Sequence, residues 1–279
     1  MNQIHLPNSG RTSAQFTAAL LLEKPVNPSF GQLRAELKRV APNAVLEGWD
    51  GPIDPAEDPG IEMLSLDGVK LSVLVVDTPA PAGVLQSGPF ANPLWPNAEK
   101  EAARHKAHIV VVGLEDPIDR EAAHAKARAV TVTAAALARI VPVIGVTWVD
   151  GANLVPSAAF LQMTKDIGGA GANAVPFWVR IMLARGENAP DGKPTVKAGT
   201  LGLRIFGLRE LEYAAASLDP GFIMQHAYSI AEYLLRSGKR LADGETIGVE
   251  GEARFAVSLA DAGDFVSSPI ARLSLQASK

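Results

Sequence analysis

Apolar residues in this chain fall into short runs whose spacing switches between an extended and a helical period, and one run stands apart. His108-Ile109-Val110-Val111-Val112-Gly113 follows a charged stretch, has no polar residue at alternate places after His108, and stops at a glycine. That predicts a strand covered on both faces, because a half-exposed strand would show polar residues at every second position. Upstream, Phe16 to Leu22 reads as a first strand, ended by Pro25 and Pro28. Ser29 with Gln32 three places on matches a capping box, and Phe30, Leu33, Leu37 and Val40 recur at helical spacing until Pro42-Asn43. A weaker strand at 45–49 leads into a proline-rich loop, 51–60. The runs 61–66 and 69–77 flank Asp67-Gly68, a dipeptide suited to a tight hairpin because both turn residues must accept positive φ. Asn97 then caps a helix to about Lys106, and the 108–112 strand follows.

Strand, helix, strand, strand, helix, strand is the split βαβ order of ferredoxin-like domains. The sequence therefore predicts an α+β protein: a flexible polar arm at 1–15, a ferredoxin-like half at 16–150, and a second half at 151–279. Asp116-Pro117 pairs a cap residue with proline at the first helical position. It is expected to open a long helix whose stripe is Ile118, Ala122, Ala125, Ala129, Val132, Ala136 and Ile140. A strand at 143–149 closes the first half at Asp150-Gly151. The second half reads as an antiparallel sheet with helices, packed on the first or continuous with it. Its elements are a helix from Pro156-Ser157 to about Ile167, a glycine stretch at 168–173, strands at 177–184 and 200–206, a helix opened by Asp219-Pro220 and closed at Gly238, and strands at 254–259 and 271–275.

Composition narrows function more than fold. With 47% hydrophobic and 20% charged residues the 279-residue chain belongs among globular proteins. Its 26 basic and 30 acidic residues give a net charge of -4, which offers no general field for a nucleic-acid backbone. The absence of cysteine excludes disulfides, thiolate metal sites and cysteine nucleophiles. No apolar run approaches the ~20 residues of a membrane span. The N-terminus lacks a signal-peptide core, so a cytoplasmic protein is expected.

Candidate chemistry gathers in two places. Glu101, His105 and His108 stand at i, i+4 and i+7 before the central strand; an unbroken helix would put them on one face as a tentative metal set. The competing reading pairs Glu101 with His105 on a surface helix and leaves His108 hydrogen-bonded at a helix–strand corner. Glu210 and Glu212 are two apart, so an extended segment projects both from one face, where they could share a proton or a cation, or pair with Arg204 and Arg209. Trp95, between Leu94 and Pro96, is a candidate aromatic at a site mouth. His124 reads as a solvated helix residue and His226 as a satisfied, half-buried one. The glycines at 168–171 follow a helix instead of preceding one, which argues against a phosphate loop. No cofactor motif appears, so no cofactor is expected.

Several stretches resemble an uncharacterised bacterial family known only as a domain of unknown function. They are Trp95-Pro96-Asn97-Ala98, His105-Lys106-Ala107-His108-Ile109-Val110-Val111, Gly207-Leu208-Arg209-Glu210-Leu211-Glu212, Ala231-Glu232-Tyr233-Leu234-Leu235 and Asp243-Gly244-Glu245-Thr246-Ile247-Gly248. The likeness runs over about residues 16–275. It implies no activity and no catalytic residue, but it adds Asp243 to His108, Glu210 and Glu212 as positions to examine. Without a catalytic motif, the leading expectation is a non-catalytic protein-interaction module of accessory or immunity type. A protein partner is expected, nucleic acid and membrane are not, and self-association is open. The alternatives are a hydrolase or metal-binding protein using the His/Glu cluster, and a small-ligand sensor.

Overall fold

A computed structural model describes residues 16–48, 60–85, 92, 94–169, 172, 174–248 and 253–276. The expected arm at 1–15, nearly all of the 51–60 loop and part of the glycine stretch lie outside the described residues. The chain is α+β and divides after Trp178, into a unit ending there and a unit running on from Val179.

The first unit contains β1 (Thr17–Leu22), α1 (Phe30–Val40), β2 (Leu46–Gly48), β3 (Ile61–Leu66), β4 (Val69–Val76), α2 (Ala82–Leu85), α3 (Ala98–Ala102), β5 (Ala107–Gly113), α4 (Arg120–Ile140), β6 (Val143–Trp148), β7 (Asn153–Pro156), α5 (Ser157–Met163) and α6 (Val175–Trp178). Its sheet has the order β2-β3-β4-β5-β1-β6-β7, with every neighbouring pair antiparallel. A ferredoxin-like motif would place its first strand between its third and fourth. Here the fourth, β5, lies between β4 and β1, so the ferredoxin-like expectation is corrected. β5 pairs directly and antiparallel with β4, so the connection over 77–106 returns beside β4 without crossing β1.

β5 is central, as its sequence predicts, yet its two faces differ. Ile109 and Val111 are fully buried, and the same face carries Gly113, whose missing side chain leaves room for the Lys126 stem of α4. On the other face Leu21 joins Trp95, Ala98, Ala102 and Leu154 in a second cluster, while Val110 and Val112 are half-buried. Burial alternates although residue type does not. The Asp67-Gly68 turn forms as expected, with φ of 52° and 79°. Ser29 accepts from the Gln32 amide and caps α1.

The long helix starts three residues later than predicted. Asp119, not Asp116, is the N-cap, accepting from the Ala122 amide at 2.8 Å. Asp116 to Ile118 are loop, and Ile118, expected in the apolar stripe, is 93% exposed. From Ala129 to Ala138 the helix is buried all round, between the sheet and the neighbouring helices α1 and α5.

The second unit contains β8 (Arg180–Arg185), β9 (Val196–Leu201), a 3-10 turn (Arg204–Phe206), β10 (Glu210–Ala216), α7 (Pro220–Ser237), β11 (Thr246–Gly248), β12 (Arg254–Ala260) and β13 (Ile270–Leu275). Its sheet order is β11-β12-β13-β10-β9-β8, with β10 and β13 parallel and the other pairs antiparallel. Residues 175–178 form a helical turn, so the strand expected at 177–184 begins at Arg180. The strand expected at 200–206 ends at Leu201. Asp219 caps α7 and Gly238 closes it at φ 66°, both as the sequence predicts. The helix buries Ile223, Ala227, Ile230 and Leu234.

Candidate functional site

At the entry to β5 the sequence brings Glu101, His105 and His108 close along the chain, and the fold separates their functions. α3 ends at Ala102, so the helical spacing never reaches His108. The buried His105 ring accepts the Ala80 N–H at Nε2 (2.8 Å), which places its proton on Nδ1, donating to the Ala102 carbonyl at 2.6 Å. Both ring nitrogens are thereby occupied, and neither has a lone pair left for a cation. His108 donates from Nδ1 to the Thr78 carbonyl at 2.8 Å, tying the start of β5 to the end of the hairpin. Glu101 accepts the indole N–H of Trp95 at 3.1 Å. Among the described residues no three of His, Cys, Asp or Glu are gathered as metal ligands. The tentative set of Glu101, His105 and His108 is corrected on that geometry.

Trp95 is also corrected. It is 5% exposed, and its ring lies so close to Gly145 that an added Cβ would sit 2.4 Å from Cζ3. Asn92, unremarked in the sequence, holds it there. Its side-chain oxygen accepts from the Leu94 and Trp95 amides, and its amide donates to the Leu154 carbonyl. His124, read as solvated, packs edge-on against Trp178 at 5.3 Å, and burial lowers its pKa.

The paired glutamates are the densest buried acidic feature. β10 places Glu210 and Glu212 on one face of the second sheet, while Tyr213, one residue on, faces α7 and shares a 2.8 Å hydrogen bond with His226. Glu210 is fully buried. It accepts from the Thr200 hydroxyl (2.7 Å) and the amides of Gly202 (2.9 Å) and Arg204 (3.2 Å). Burial pushes its carboxyl above the ordinary range, and those donors only partly oppose the shift. Glu212, 3% exposed, accepts from Arg272 Nε and Nη2 at 3.0 and 2.8 Å and from the Asp264 and Phe265 amides.

Each carboxylate thus anchors a loop: Glu210 the turn after β9, Glu212 the connection between β12 and β13. Phe265 of that connection lies over Gly199, where a Cβ would meet its ring at 2.7 Å. Arg204 lends only its backbone amide to Glu210, and Arg209 donates to the Ala260 carbonyl. The cation beside Glu212 is Arg272, its register partner across the parallel β10–β13 pair. Asp243 accepts the Leu259 amide at 2.9 Å and fastens the turn before β11 to β12.

Fold and site define an α+β chain whose second unit is built around two loop-anchoring carboxylates. Residues 199–269 match the family model of a domain of unknown function, DUF4261. The resemblance to an uncharacterised family is borne out over this stretch, which contains Glu210, Glu212 and both loops they hold. No curated protein matches the chain. No helix among the described residues is long and apolar enough to cross a membrane.

Proposed function

We propose that the chain is a non-catalytic protein-interaction module of accessory or immunity type. The observation that supports this best is the employment of the polar side chains singled out above. His105, His108, Glu101, Glu210, Glu212 and Asp243 each bind groups of their own unit, most of them backbone groups. A general acid or base needs a proton site within reach of substrate. Side chains committed to carbonyls and amides serve architecture.

Protein isolated at native abundance tests the reading by size-exclusion chromatography with light scattering, beside a screen for hydrolytic turnover. The expected result is a stoichiometric complex with a second protein, and no turnover that depends on His108. A folded His108→Ala variant that abolishes a measured hydrolysis would refute the reading.

A further inference from the structure

Ile118 is the place where local sequence rules and the fold disagree most. Asp116-Pro117 is a good helix start, and Ile118 would then open the apolar stripe. The helix instead begins after Asp119, and Ile118 is 93% exposed, against 58% for Val45, 47% for Tyr233 and less for the other exposed large hydrophobics among the described residues. An isoleucine just before an N-cap usually packs on the fourth helical residue. Here that residue is Ala123, itself buried against the core, and too short to reach back.

The loop that carries Ile118 is fastened at both ends. Lys126, 5% exposed, donates its ammonium to the Leu114 carbonyl at 3.0 Å and to the Glu115 carbonyl, and lies over the Phe16 ring at 5.1 Å. Lys70 pairs with Glu115 at 2.8 Å, and the Leu114 amide donates to the Lys70 carbonyl. Asp119 caps the helix on the other side, and Pro117 fixes φ beside Ile118. A buried lysine is a costly way to hold a loop, since burial lowers its pKa and disfavours the charged form. Within three residues of Ile118 along the chain stand four exposed acids, Glu115, Asp116, Asp119 and Glu121, and one cation, Arg120; of the acids, Glu115 is the one paired with Lys70 and Asp119 is the helix cap.

A single apolar side chain on a pre-organised, acid-rimmed projection matches the anchor-and-rim layout of a binding hot spot. We infer that loop 114–119 is a docking knob with Ile118 as anchor, for a partner protein offering an apolar socket rimmed by lysine or arginine. The inference rests on the interaction-module reading and names the face that reading would use.

The test places a photo-crosslinking phenylalanine derivative at position 118, 45 or 233 of the full chain in producing cells. The captured partner is then purified and titrated against the unmodified protein. The expected result is one discrete adduct, from position 118 alone. Binding should weaken on the order of thirtyfold in Ile118→Asp and stay within a few fold in Ile118→Leu. Affinity should fall as salt rises from about 50 to about 300 mM, because the rim is charged. Near-UV circular dichroism confirms that the variants fold. Adducts from position 45 or 233 in place of 118, or affinity indifferent to Ile118→Asp, overturn the knob and leave the interaction reading standing. Absence of an adduct from all three positions overturns the knob, and the interaction reading falls with it only if chromatography also finds no complex.

Discussion

Removing the Glu212 carboxylate with Glu212→Ala should open the 261–269 loop. The side chain is 4% exposed, while the Arg272 side chain paired with it is 39% exposed. Breaking a buried ion pair by deleting one partner costs about 3–5 kcal/mol. Arg272 can turn its guanidinium towards water, so its share falls to about 2 kcal/mol. The Asp264 amide loses its acceptor beneath the loop, adding about 1 kcal/mol. The sum, about 3 kcal/mol, corresponds to a rise of more than about a hundredfold in the open population. All three tyrosines, Tyr213, Tyr228 and Tyr233, follow residue 178, and all four tryptophans precede residue 179. Urea unfolding followed by tyrosine absorbance therefore reports the second unit, and tryptophan fluorescence the first. Amide exchange of the 261–269 peptide reports the loop directly. A loss below about 1 kcal/mol, with exchange at Asp264 and Phe265 unchanged, would refute the anchoring role.

Gly145→Ala forces a Cβ to within 2.4 Å of the Trp95 ring and 2.9 Å of the Val155 carbonyl, so we expect a loss of about 1–3 kcal/mol, with the tryptophan near-UV signal altered. Glu210 should make the second unit less stable as pH rises. Its folded pKa is raised by burial, so the folded state holds the proton more tightly than the unfolded chain, and stability present below the ordinary carboxylate pKa is lost as pH climbs through the folded value. Stability curves of the wild type and Glu210→Gln from acid to neutral pH should differ by that downward slope, and parallel curves would exclude it.

The elements readable from sequence were those set by neighbours along the chain. Asp67-Gly68, the Ser29 cap, Asp219-Pro220 and Gly238 satisfy their own backbone needs within a few residues, and each formed as expected. The start of α4 was ambiguous locally because Asp116 and Asp119 are both competent caps. A long-range contact, Lys126 on the Leu114 and Glu115 carbonyls, accompanies the second choice. Arg272 was invisible as the partner of Glu212, because only the parallel pairing of β10 and β13 brings residues sixty positions apart into register. The split βαβ expectation failed for a related reason. Element order does not say which side of β1 the fourth strand joins. Glu210 and Glu212 were correctly read as sharing one strand face, whereas their hold on loops depended on donors from β9 and from the β12–β13 connection.

β1 lies between β5 and β6, so strand 17–22 waits for residues 107–113 on one side and 143–148 on the other. During synthesis the emerging β1 therefore lacks its second neighbour until residue 148 has left the ribosome. Such delayed closure slows assembly and leaves an apolar segment in need of shelter while translation proceeds. Nascent chains halted before Val143 should engage holding chaperones, and those extended past Trp148, with room to clear the exit tunnel, should let go.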